Sequence, residues 1–253
     1  MAIPARVSLF ITCIVDQFFP RVGIAMVEVL ERCGLQVEFP EGQTCCGQPA
    51  FNTGYREEAR RVARGWLEAF GGSEAIVAPS GSCVSFVRQH IPELFHDSPA
   101  ELEQARRLAA RTWELTEFLV SVLGREDVGA VYEGAVGYHE SCHLLRELRI
   151  SRQPRALLKN VRGLELRELD LAQECCGFGG TFSVKFPELS AAMADEKLRS
   201  AARAGAETLV ACDMSCLMHL DGRARRLNLP LRCLHIAQIL AGASAGGAGR
   251  AGA

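Results

Sequence analysis

The tripeptide Cys-Cys-Gly occurs twice in this chain, at Cys45-Cys46-Gly47 and Cys175-Cys176-Gly177, and both copies carry outlying cysteines at matched distances. Thirty-one residues separate Cys13 from the first pair, and thirty-two separate Cys142 from the second. Beyond the pairs, Cys83 follows after thirty-six residues and Cys216 after thirty-nine. Adjacent cysteines are uncommon, so two such tripeptides 130 positions apart with the same flanking pattern mark an internal repeat. The chain must fold the same unit twice, and each unit must gather cysteines that are distant in sequence.

Hydrophobic patterning supplies the shape of that unit. It predicts a strand over 7–15, a helix over 20–33 that Pro20 opens and Gly34 stops, and a strand over 35–39. After the first Cys-Cys-Gly come a helix near 54–70, a β run over 75–78 and a helix opened by Cys83. The second half repeats the order, with strand 135–141, helix 152–161, strand 164–169, helix 187–204, strand 208–211 and a helix from 214. Each half closes on a similar amphipathic piece, 115–119 and 235–240. Strands alternating with helices imply parallel sheets, so the expected fold class is α/β: two tandem Rossmann-like pseudo-repeats with metal sites at the strand carboxyl ends. The expected domains are 1–125 and 135–241. Residues 97–100 and 125–134 read as linkers, and 242–253 as a disordered Gly/Ala tail.

Composition excludes several classes of partner. Lys+Arg total 28 against 30 Asp+Glu, so no global basic field exists to hold nucleic acid. The clusters Arg60, Arg61, Arg64 and Arg223, Arg225, Arg226 read as solvated helix faces. No stretch reaches the ~20 apolar residues of a membrane span. The apolar run 7–15 imitates a signal-peptide core, but Asp16 and two Phe follow it instead of a small-residue cleavage site, so it reads as a buried strand. The expected location is therefore the cytoplasm. Eleven cysteines in a reducing compartment point to metal binding or redox work rather than disulfides.

Cys13, Cys45, Cys46 and Cys83 would converge at the strand ends of one unit, and Cys142, Cys175, Cys176 and Cys216 at those of the other. Gly47 and Gly177 let the backbone turn tightly after two consecutive ligands. Four soft anionic sulfurs around one point suit zinc or an iron–sulfur cluster, and a thiol–disulfide role for the vicinal pairs also stays open. Cys33 and Cys233 lie outside the repeat and read as inert packing. His139 and His143 flank Cys142, and His219 lies one turn past Cys216; all three read as hydrogen-bonding neighbours of the sulfurs. No oxyanion hole, phosphate loop or dinucleotide fingerprint appears, so no catalytic residue is assigned.

Taken together, the pattern resembles the cysteine-rich CCG domain found in heterodisulfide reductase and in the iron–sulfur subunits of glycolate oxidase and anaerobic glycerol-3-phosphate dehydrogenase. The segments His139-Glu140-Ser141-Cys142-His143-Leu144 and Cys216-Leu217-Met218-His219-Leu220 are similar to the lactate-utilization branch of that family. The resemblance implies a cluster, [4Fe-4S] of cubane or non-cubane form, and adds Cys212 to the second ligand set. It implies electron transfer in oxidation of L-lactate to pyruvate beside other lactate-utilization subunits, including a second iron–sulfur protein. Two departures stand out. The family motif ends Cys-x-x-Cys, but Ser80 replaces the earlier cysteine in the first copy, and Cys212 to Cys216 is one residue too wide in the second. Zinc therefore stays open for Cys13, Cys45, Cys46 and Cys83. The alternative functions are a thiol–disulfide oxidoreductase of the heterodisulfide-reductase kind and a zinc-structured assembly module.

Overall fold

Alternation along the first strand decides the layering. In the computed structural model, which describes residues 4–242, strand β1 (Arg6–Leu9) turns Val7 and Leu9 toward a core shared by both halves, while Phe10 just beyond it packs on the opposite side. The strand is shorter than the expected 7–15. After an extended stretch, Cys13 opens helix α1 (Cys13–Phe18) instead of closing a strand, with Thr12 as the extended residue before it. Helix α2 (Pro20–Arg32) and strand β2 (Gln36–Glu38) follow as expected. Next come α3 (Gln48–Asn52), α4 (Arg56–Ala69), β3 (Ile76–Ala78), α5 (Gly81–Leu94), α6 (Pro99–Ala109), β4 (Thr112–Glu114) and α7 (Leu115–Glu117), which continues as a π-helical turn over Phe118–Val122. Pattern reading misses α6 and β4 and assigns the start of α6 to a linker. Pro99 in fact opens that helix.

The second half runs β5 (Val131–Tyr138), α8 (Cys142–Arg146), α9 (Arg152–Lys159), β6 (Arg162–Arg167), α10 (Thr181–Lys185), α11 (Pro187–Arg203), β7 (Thr208–Ala211), α12 (Met214–Arg226), β8 (Arg232–His235) and α13 (Ile236–Ala241). Strand β5 takes up residues 131–134 of the expected linker. The expected disordered tail falls, from 243 onward, outside the described residues.

Each half builds a four-stranded sheet, in the orders β2-β1-β3-β4 and β6-β5-β7-β8, and every pairing is parallel. Parallel strands put all their following loops at one sheet end. Helices α2, α7, α9 and α13 contribute to the largest apolar cluster together with residues of both sheets, from Val7 and Val77 to Val136 and Tyr138. α2 packs on α13 and α7 on α9, so the halves are related by an approximate two-fold exchange. Helices α4, α5 and α6 cover the outer face of the first sheet, and α11 and α12 that of the second.

Contacts at the strand ends help to fix the halves to one another. The imidazole of His235, fully buried, donates from Nε2 to Pro79 O at 3.0 Å and accepts the Ala237 N–H at Nδ1 over 3.1 Å, which assigns its neutral tautomer. Asp213 bridges to Ser80 by an antiparallel backbone pair, and its carboxylate accepts the Ser82 N–H at 2.8 Å. Gly81 meets Leu144, where a Cβ at position 81 would lie 2.8 Å from the Leu144 Cβ and 2.9 Å from its Cδ1.

This seam yields two expected outcomes. Gly81→Ala would favour the helix locally but overpack the seam, and should cost about 1–3 kcal/mol in urea unfolding. Adding Leu144→Ala should relieve part of that cost, so a double-mutant cycle that is simply additive would contradict the contact. Burial pushes His235 down to about 4 from its ordinary 6.5. Between those values the unfolded chain binds a proton that the folded chain refuses, so stability falls as pH drops from 6.5 toward 4 and levels off below. The loss is on the order of 3 kcal/mol, and His235→Asn should remove it; an unchanged acid limb in the variant would show that the burial matters little.

Candidate metal centre

Gln43 shapes the loop that carries the first cysteine pair. Its carboxamide donates to Leu9 O at 3.0 Å and to Pro40 O at 3.0 Å and accepts the Ile11 N–H at 2.8 Å, holding the loop against the extension of β1 as an additional strand would. Gly47 (φ 99°) and Gly177 (φ 91°) then turn the chain in the left-handed region. A Cβ at Gly177 would sit 2.6 Å from Ser190 O, so the turn also presses against α11. With the turn made, the Gly47 N–H points at Cys45 Sγ over 3.4 Å, and the Gly177 N–H at Cys175 Sγ over 3.4 Å.

The remaining sulfurs come from helix starts. Cys13 and Cys142 are the first residues of α1 and α8, and Cys83 and Cys216 lie in the first turns of α5 and α12. Ser80 caps α5 by accepting the Cys83 N–H at 3.2 Å. Asp213, at the matching place before α12, reaches across the seam instead, where the hydroxyls of Ser80, Ser82 and Ser215 donate to it as well. Burial raises its pKa.

The thiols form two chains. Cys13 Sγ lies 3.7 Å from Cys45, and Cys46 Sγ 3.6 Å from Cys83. In the second half the thiols of Cys142, Cys175, Cys176 and Cys216 hydrogen-bond in the same sequence. All eight line one cleft of about 180 Å³ between the halves. Negative charge gathers on Cys45 in the first chain and on Cys175 and Cys216 in the second. Cys45 is held down at about 3, chiefly by the Cys13 thiol and then that of Cys46, and Cys175 at about 2 by Cys142 and then Cys176. Their donors are correspondingly pushed up.

The other candidates are placed differently. Cys212 is fully buried in the shared core, its Sγ 3.5 Å from the Tyr138 hydroxyl, and it does not line the cleft. Cys33 ends α2 and Cys233 lies in β8, both outside the cleft. His143 Nδ1 is 3.6 Å from Cys142 Sγ, and His219 Nε2 is 3.3 Å from Ser190 Oγ. His139 is fully buried, neither ring nitrogen has a hydrogen-bond partner, and it has a donor atom within 4.8 Å of Cys176 and Cys216 Sγ. It contributes, after Cys176, to holding Cys216 well below the ordinary thiol value.

Sequence reasoning passes over Lys197 and Asp213. Lys197 is 1 % exposed, its ammonium donating to Leu171 O and Ala172 O behind the second thiol set. Burial brings it down to about 8, which leaves it cationic at neutral pH. Its position in the apolar stripe of α11, between Ala194, Leu198 and Ala201, was the available signal. Asp213 gave no such signal, because its partners across the seam lie 131 and 133 residues away.

Soft sulfur donors in contact, backbone N–H groups aimed at them and an unpartnered buried imidazole form a donor set that fits a thiolate-bound metal centre. The cysteine-rich domain (CCG) profile matches residues 7–88 and 136–221. Lactate utilization protein A 2 of Bacillus cereus (strain 03BB102) is 48% identical over 236 residues, covering 93% of this chain and 98% of that protein. Lactate utilization protein A of Bacillus licheniformis is 49% identical over 235 residues, with the same 93% and 98% coverage. A crystal structure of a hypothetical protein from Helicobacter pylori superimposes with a TM-score of 0.63 at 12% identity over 94% of this chain. This chain spans 48% of that protein, and the likeness is one of fold. The repeated halves, their paired thiol sets and these relatives agree: the chain belongs to the cysteine-rich CCG-domain family, in its lactate utilization protein A branch.

Proposed function

We propose that the chain is an iron–sulfur electron-transfer subunit that takes part in oxidation of L-lactate to pyruvate together with partner subunits, a second iron–sulfur protein among them. One observation carries the reading: two matched sets of four thiols face a single cleft. In this reading Cys13, Cys45, Cys46 and Cys83 hold one cluster, and Cys142, Cys175, Cys176 and Cys216 the other. Cys212 is left out of the ligand set because its sulfur faces Tyr138. Clusters of this kind, [4Fe-4S] in the simplest case, accept and release electrons singly. The chain's own residues supply the rest. Gly47 and Gly177 aim N–H groups at sulfur, and the cleft leaves an approach for a donor or acceptor protein.

Lactate oxidation removes two electrons and two protons, one proton from the hydroxyl-bearing carbon and one from its hydroxyl, which calls for an electron-pair acceptor. The loops after β1 and β5 (Phe10-Ile11-Thr12 and His139-Glu140-Ser141) hold no glycine-rich cradle for such a cofactor. That step is accordingly assigned to a partner. The reducing conditions that thiolate clusters need favour the cytoplasm, and no helix among the described residues is long and apolar enough to cross a membrane. A second reading is zinc, favoured by the 3.6 and 3.7 Å sulfur separations. These are close to the edge, about 3.8 Å, of a tetrahedron with ~2.3 Å zinc–sulfur bonds.

Anaerobic purification followed by metal and acid-labile sulfide analysis separates the two readings. Iron and sulfide are expected, with Cys175→Ala and Cys216→Ala each losing about half the iron while Cys33→Ala and Cys233→Ala keep all of it. Stoichiometric zinc without sulfide would establish the second reading in place of the first.

A further inference from the structure

The two thiol sets match residue for residue, but the walls behind them do not. Phe10 and His139 each stand three residues before the first cysteine, and their backbone N–H groups make equivalent bonds, to Val77 O at 2.9 Å and to Val210 O at 2.8 Å. The Cys-Cys-Gly turns press on Ala59 in one half and Ser190 in the other. Two turns further along the same helices stand Trp66 and Lys197. Phe86 and His219 each follow the last cysteine by three. Behind Cys46 and Cys83 there is consequently an aromatic wall, in which Phe10 and Trp66 pack edge to face at 5.9 Å and Trp66 and Phe70 lie tilted at 5.0 Å. Behind Cys176 and Cys216 the same places hold a buried ammonium and a buried imidazole.

Adding an electron to a cluster adds a negative charge. A buried cation and a donor facing sulfur stabilise that charge, whereas an apolar wall offers nothing to oppose it. Asp213 works in the other direction on the second set, but its charge is shared among one N–H and three hydroxyl donors. His90, stacked on Phe51 and Phe86 near the first set, is paired with Glu93 and partly exposed.

We propose that the two centres differ in reduction potential, and that the second, held by Cys142, Cys175, Cys176 and Cys216 in front of Lys197 and His139, is the higher, so that an electron entering the cleft comes to rest there. This rests on the reading of both thiol sets as iron–sulfur sites. Cys13, Cys45, Cys46 and Cys83 would hold the electron donor and Cys142, Cys175, Cys176 and Cys216 its acceptor, with one electron given up by the one and taken up by the other. Lys197 and His139 act on the centre through its sulfurs, as positioning residues for charge, and His139 is near enough to serve as a further ligand.

The test is an EPR-monitored redox titration of the anaerobically purified full chain, after its iron and sulfide have been measured. A chain without iron or sulfide overturns the proposed function itself. With both clusters present, two separate waves are expected. Lys197→Met should lower only the upper wave, by at least tenfold in the one-electron equilibrium, or ~59 mV. His139→Phe, which restores the first half's residue, should shift the same wave in the same direction, and serves if Lys197→Met does not fold. Trp66→Phe should leave the upper wave in place. Loss of the upper wave in Cys216→Ser would assign it to the second set. Coincident waves, an upper wave that survives Cys216→Ser, or an upper wave indifferent to both Lys197→Met and His139→Phe would each overturn the inference.

Discussion

The carboxylate of Asp213 stands before one helix and accepts a backbone N–H from the start of another. It precedes α12 yet binds the Ser82 N–H of α5, so one buried carboxyl group ties together the two helix starts that carry Cys216 and Cys83. Gly81 allows this approach by leaving room for Leu144. Ser80, Ser82 and Asp213 of this seam also line the cleft that the two thiol sets face. A parallel sheet would place cysteines at its strand ends in any arrangement. The seam, added to the shared apolar core, turns the two sets toward one opening.

Within each half the geometry follows from the Cys-Cys-Gly turn. Consecutive cysteines direct their sulfurs to different neighbours, Cys45 to Cys13 and Cys46 to Cys83, and the left-handed glycine then carries the chain away before a side chain can intrude. The same turn aims an N–H at Cys45 in one half and Cys175 in the other, both sulfurs that accumulate charge. Local backbone conformation thus contributes to the electrostatics of the site.

Much of this was legible in the sequence, because cysteine spacing and β–α alternation are properties of each half alone. The helices 20–33, 54–70 and 187–204 and the strand 208–211 fall within a residue or two of the elements found. The expected strand 7–15 fails at its end for a physical reason: Val15 is buried from a helix, and an apolar run alone does not distinguish the two. Cys212 shows another limit. Its spacing to Cys216 resembles a ligand pair, but it leaves β7 facing the shared core, whereas Cys216 lies in the first turn of α12 facing the cleft. Asp213 and the correspondence of Trp66 with Lys197 become visible only once the halves are superimposed in space.

On the proposed function, two thiolate-bound iron centres face one another across one cleft. Anomalous diffraction at the iron edge from anaerobically grown crystals addresses it directly. Two iron sites are expected, one enclosed by Cys13, Cys45, Cys46 and Cys83 and one by Cys142, Cys175, Cys176 and Cys216, with no iron at Cys212. Iron confined to one set, or bound at Cys212 within the core, would contradict it.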